Sequence, residues 1–179
     1  MRRIFAIAVV TALFLGVGAG IAGALDSAAW SGKASGSVIA DNPGYEGLTV
    51  DLAVTTHPRE LNWTNARGQG HYEFDGNGFR LRVTHACVDT TEGTVTAWGP
   101  ARITAGSFDV VEGPSLVVGD TAYAVLSLLD NEGGIVSARA GIATDFDGGL
   151  MTMIAQNCEW PFEGWFPARG PGELSFKAR

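Results

Sequence analysis

From position 48 to the C-terminus one pattern recurs: a short alternation of apolar and polar residues that ends at a glycine-bearing turn. The clearest case covers residues 79–87. Phe79, Leu81, Val83, His85 and Cys87 fall on one face there, and Arg80, Arg82 and Thr84 on the other. Successive side chains of a strand point to opposite faces, so a period of two marks a half-buried strand. Residues 48–55 alternate in the same way, with Leu48, Val50, Leu52 and Val54 set against Thr49, Asp51 and Ala53. Asp75-Gly76-Asn77-Gly78, Glu92-Gly93, Gly119-Asp120 and Asp130-Asn131-Glu132-Gly133-Gly134 supply residues that tolerate positive φ, which reads as turns. Residues 121–129 are almost wholly apolar, as suits a strand covered on both faces.

Further strands are expected at 71–74, 94–98, 101–111, 135–144 and 173–178, with Gly99-Pro100 interrupting the second of these. No segment keeps apolar residues at i, i+3, i+4 through three helical turns. The expected fold class is therefore all-β, a single antiparallel barrel or sandwich.

The N-terminus has a different logic. Arg2 and Arg3 precede a stretch from Ile4 to Leu25 without a charged residue, closing on Ala22-Gly23-Ala24. A basic start, an apolar run and a small-x-small end define an export signal over residues 1–24. The run also approaches the ~20 residues that span a bilayer, which leaves an uncleaved anchor as the alternative. The glycine-rich second half favours cleavage, with no stable membrane anchor afterwards. Sec and twin-arginine export both remain open. Residues 25–47, rich in Ser and Gly, read as a loosely ordered leader with an edge strand near 37–40. Residues 48–179 form the β domain.

Of 12 basic and 19 acidic residues, the signal removes only Arg2 and Arg3, so the mature net charge is about −9. Such a surface repels polyphosphate, and nucleic acid is not expected as a partner. The 25 glycines are about twice the usual ~7% and fit many short strands joined by turns. In an oxidising compartment the two cysteines, Cys87 and Cys158, suggest one disulfide. Two buried free thiols and a bridge to another chain are the alternatives.

The stretch from Gly68 to Gly134 resembles a loose group of small secreted bacterial all-β proteins of unknown role. The likeness rests on Gly68-Gln69-Gly70, on Val83-Thr84-His85-Ala86-Cys87 and on Asp130-Asn131-Glu132-Gly133-Gly134. It covers less than half of the chain, and its last motif departs from the group's D-N-G-E-G order. The resemblance implies secretion and an all-β fold, and no activity.

Complete catalytic constellations are missing. G-x-S-x-G, a P-loop and GxGxxG are all absent. His57, His71 and His85 are spaced by 14 residues, which is no short metal-ligand motif. His85 and Cys87 are two apart on one strand, but a bridged Cys87 has no thiolate to offer. Asp145 and Asp147 sit in an oxygen-rich turn and are weak calcium candidates, although the turn lacks the closing glutamate of a calcium loop. No cofactor is called for. Trp160, Phe162, Trp165 and Phe166 crowd four rings into seven residues among Pro and Gly. They read either as an apolar plug over one end of the β domain or as a binding surface.

The sequence thus favours a secreted, non-catalytic β-domain that binds or structures an unknown extracellular partner. The rival is a small extracytoplasmic enzyme with a site at the barrel mouth, drawn from His57, His71, His85, Asp89 and Glu92.

Overall fold

A computed structural model describes residues 31–57, 64–110, 114–131, 133–144 and 167–178. These form ten strands: β1 (Gly32–Ile39), β2 (Thr49–His57), β3 (Thr64–Phe74), β4 (Asn77–Asp89), β5 (Thr94–Ala105), β6 (Ser107–Phe108), β7 (Leu116–Val117), β8 (Thr121–Asp130), β9 (Ile135–Ala143) and β10 (Ala168–Ala178). Eight of them close an antiparallel barrel in the order β1-β10-β9-β8-β5-β4-β3-β2. Each strand lies beside its chain neighbour, and the small β6–β7 ladder occupies the connection from β5 to β8. The fold class is the expected one, in its barrel form.

Closure depends on β1, which lies inside the span expected to be a loose leader. It pairs with β2 from Gly32↔Thr56 to Ile39↔Thr49, and with β10 from Gly32↔Ala178 to Val38↔Gly172. Of its inward residues, Gly32, Ala34 and Gly36 carry too little side chain to print an apolar stripe, which leaves Val38 at the end of the strand as the large one. The strand is made by pairing on both edges rather than by propensity.

The inner face follows the alternation read from β2: Val50, Leu52 and Val54 are buried while Asp51 and Ala53 are exposed. Across the barrel, rows such as Val95↔Leu128↔Ala138 and Ala97↔Leu126↔Ala140 share this face. Eight strands leave an interior that side chains can fill. Here large residues on one wall meet glycines on the other. A Cβ built on Gly70 would stand 2.6 Å from Leu126 Cδ1, and one on Gly36 would stand 3.0 Å from Leu128 Cδ1. The two leucines, fully buried, cross the lumen into spaces that the glycines leave. Each such burial is worth about 1.5–3 kcal/mol.

One end of the lumen is closed by rings. Tyr72 stacks on Phe79 at 5.0 Å, Phe108 of β6 packs edge-on against Phe79 at 5.8 Å, and Tyr45 stacks on Phe74 at 6.0 Å. Burial, with Tyr45 beside it, pushes the Tyr72 hydroxyl pKa up. The β3–β4 hairpin at this end turns through Asp75 (φ 48°) and Gly76 (φ 74°). Two positive φ angles make the type I′ turn that matches the twist of the flanking strands.

In β4 the register corrects the expected face. Leu81 pairs with Ala101, but His85 pairs with Trp98, so β4 uses four steps where β5 uses three. This bulge, near Thr84 and His85, flips the alternation. Ala86 and Val88 point into the lumen with Leu81 and Val83. His85 and Cys87 therefore leave the face of Phe79, Leu81 and Val83 and point outward. Gly99 makes room for the bulge, since a Cβ there would meet Arg82 O at 2.3 Å. The interruption expected at Gly99-Pro100 does not occur, because β5 runs unbroken through both.

Candidate binding groove on the outer wall

The glycines that admit the leucines also shape the opposite, outer surface of the wall. Between Asn65 and Gly68 the β3–β4 register slips, and a Cβ on Gly68 would lie 2.0 Å from Ala53 O. With Gly36, Gly68 and Gly70 in its floor, the wall holds an outward-facing groove of about 840 Å³. Five strands line it, β10, β1, β2, β3 and β4.

Its polar lining follows from strand register. One row of direct cross-strand neighbours runs Glu173, Ser37, Asp51, His71, Arg80, Arg102. A second runs Ser175, Ser35, Ala53, Gln69, Arg82. All but Arg102 and Ser175 line the groove. His71 Nδ1 lies 3.9 Å from Asp51 Oδ2, and Ser35 Oγ lies 3.1 Å from Ser175 Oγ. Arg80, Arg82 and Arg102 are exposed, and none of them forms an ion pair with a described residue. Arg80 and Arg102 are direct neighbours of like charge, a pairing that costs stability.

The groups proposed for a barrel-mouth site are not brought together. His71 belongs to the groove. His85 lies outward on the other side of the β4 bulge, stacked on Trp98 at 5.6 Å with an interplanar angle of 12°. Its Nδ1 meets Thr84 Oγ1 at 2.9 Å, and burial pulls its pKa below the usual imidazole value. Asp89 Oδ1 accepts hydrogen bonds from the Thr91 and Glu92 amides and so shapes the β4–β5 turn. Glu92 stands exposed in that turn. The backbone of His57 ends β2, and its side chain lies outside the described residues. Among the described residues no three His, Cys, Asp or Glu side chains are placed to hold a metal.

Around His85 the outer wall is buried. Trp98, Val125, Ser127 and Arg139 face away from the lumen yet are at most 4% exposed. Thr96 Oγ1 and Ser127 Oγ are 2.8 Å apart, and burial brings the Arg139 pKa down to about 10. Cys87, at 6% exposed, stands beside Thr96 on this same covered face. Asp145, Asp147, Cys158, Trp160, Phe162, Trp165 and Phe166 lie outside the described residues, as does the signal over 1–24.

Sequence reasoning placed Arg80 and Arg82 on a water-facing strand surface and used Gly68-Gln69-Gly70 only as one of the motifs that carry a resemblance. Neither reading located the groove. The available signal was a pair of arginines two apart on the polar face of a strand in an acidic chain. Comparison of the chain with protein families, with characterised proteins and with solved structures finds no match.

Proposed function

We propose that the chain is exported, loses residues 1–24, and acts outside the cytoplasm as a non-catalytic β-barrel that binds its ligand in the outer groove. The observation that carries this reading is the division of space. The lumen is crossed by Leu126 and Leu128, whereas the 840 Å³ concavity lies outside and is lined by polar and charged side chains. The described members of the alternative catalytic set sit apart, with His71 in the groove, His85 against Trp98, and Asp89 and Glu92 in a turn.

A Cys87–Cys158 bridge belongs to the same reading. No described cysteine is a free thiol, and export would place the pair in an oxidising compartment.

The test is a titration of the ¹⁵N-labelled protein with soluble oligosaccharides and short peptides, followed by amide shifts. Ligand-dependent shifts at Ser37, Asp51, Gln69, His71, Arg80 and Arg82 are expected, with the ligand recovered intact after long incubation. Shifts confined to other surfaces, or turnover of the ligand, would overturn the reading.

A further inference from the structure

We infer that the groove takes a carboxylate-bearing polysaccharide, a uronate polymer, with its carboxylates on Arg80 and Arg82. This rests on the groove as the binding site and adds the class of ligand. The first support is the charge imbalance. The exported chain would hold ten basic residues against 19 acidic ones. Despite that surplus of acid, Arg80, Arg82 and Arg102 gather without an ion pair to any described residue. Arg80 and Arg102 face each other across two strands, about 5 Å apart at Cβ. Arg80 and Arg82 are two residues apart, roughly 6.6 Å along the strand. Like charges held this close lose their repulsion when an anion binds among them, and guanidinium forks hold carboxylates bidentately. Beyond about 8 Å at physiological salt the acidic remainder of the surface is screened, so it does not cancel this local field.

The second support is what stands across the groove. Asp51 lies two strands from Arg80, about 10 Å away at the usual strand spacing, and Glu173 lies four strands away along the curved wall, at the other edge of the groove. A bare polyanion filling the groove would meet both carboxylates and be repelled. A ligand that carries hydroxyls as well as carboxylates would not. Its hydroxyls donate to Asp51 and Glu173, and Ser37 and Gln69 serve as neutral partners between the two ends. Among the described residues no Trp, Tyr or Phe lines the groove, which lacks the row of large rings on which successive bases of single-stranded nucleic acids stack.

The experiment uses the full chain as exported, with oligogalacturonate as probe and binding followed by calorimetry at neutral pH and moderate salt. Oligogalacturonate binds, and Arg80→Ser with Arg82→Ser lowers affinity at least ten-fold at an unchanged melting temperature. Arg80→Lys with Arg82→Lys recovers part of the loss. Lys177→Ser with Arg169→Ser, which removes two exposed charges elsewhere, leaves affinity within two-fold. Asp51→Ala weakens binding, because a hydroxyl acceptor is lost. Equal loss from the Lys177/Arg169 pair, tighter binding by Asp51→Ala, or equal affinity for polyglutamate or a thymidine oligonucleotide would each overturn the inference. Binding of neutral dextran in the groove, unaffected by the arginine changes, would remove the uronate class and leave the groove standing. Groove shifts with none of these probes or the wider panel would remove both.

Discussion

If Leu126 fills the lumen by occupying the space that Gly70 leaves, the two positions must be energetically coupled. Leu126 is fully buried, and a Cβ on Gly70 would meet its Cδ1 at 2.6 Å, with Leu52 Cδ1 and Leu81 Cβ each at 3.4 Å. Leu126→Ala should cost about 3–5 kcal/mol, the transfer free energy of the lost atoms plus that of the cavity left behind. Gly70→Ala alone should cost roughly 1–2 kcal/mol, because the new methyl pushes into that leucine. In the Leu126→Ala background the obstruction is gone. What remains is the reduced freedom of the unfolded chain, which favours alanine by about 0.4–1 kcal/mol. The sign of Gly70→Ala therefore reverses, and the coupling amounts to roughly 1.5–3 kcal/mol. Urea denaturation of the wild type, both single variants and the double variant, followed by tryptophan fluorescence, measures it. Additivity within about 0.5 kcal/mol, the behaviour of independent sites, would refute the claim that this leucine and this glycine share one space.

Three further outcomes are expected. Exported protein should yield no free thiol under denaturing conditions without reductant, and reduction should lower its stability by up to about 4 kcal/mol, the chain-entropy value for a loop closed between positions 71 apart, Cys87 and Cys158. Burial holds the folded-state pKa of His85 below 6.5, so the unfolded chain takes up a proton first as pH falls. Stability is then lost on acidification from about pH 6.5 downward, and wild type should lose more between pH 7 and 5 than His85→Gln does, by denaturant titration at each pH. Gly76, at φ 74°, should resist substitution, with Gly76→Val costing at least roughly 1–2 kcal/mol in thermal unfolding.

Strands with one wet face and one dry face were legible, and those whose identity depends on partners were not. In β2 the alternation of Val50, Leu52 and Val54 with Asp51 and Ala53 maps directly onto lumen and solvent. The apolar run of β8 likewise reflects burial on both faces, with Leu126 inward and Val125 outward. β1 was read only at its end, as an edge strand near 37–40, because Gly32, Ala34 and Gly36 encode most of its inner face by small size rather than hydrophobicity. The β4 bulge escaped because Thr84-His85 carries no turn residue. Its trace lies on the partner strand at Gly99, which only pairing connects to it. The rings that close one end were not legible, because Tyr45, Tyr72, Phe79 and Phe108 come from four separate segments, while the stretch read as a plug or binding surface lies outside the described residues. The groove was hidden for the same reason, since its two rows draw on strands from both ends of the chain.

The bulge in β4 also explains why the outer wall has two characters. On its N-terminal side Arg80 and Arg82 face the open groove, and on its C-terminal side His85 and Cys87 face the covered surface with Trp98. Were β4 regular, His85 and Cys87 would continue the inward set of Leu81 and Val83. An imidazole would then stand among leucines, where its charged form is heavily penalised, and Ala86 and Val88 would be turned out. Cys87 would point into the lumen, out of reach of any segment running over the outside. One extra residue thus gives the strand an apolar inner face along its whole length while dividing its outer face between a solvated arginine pair and a buried cysteine. Because a slip of one residue inverts every side chain beyond it, loss of Thr84 should be far more damaging than any substitution at that site. A folded variant lacking Thr84, with Cys87 still buried beside Thr96, would show that the outer wall does not depend on the bulge.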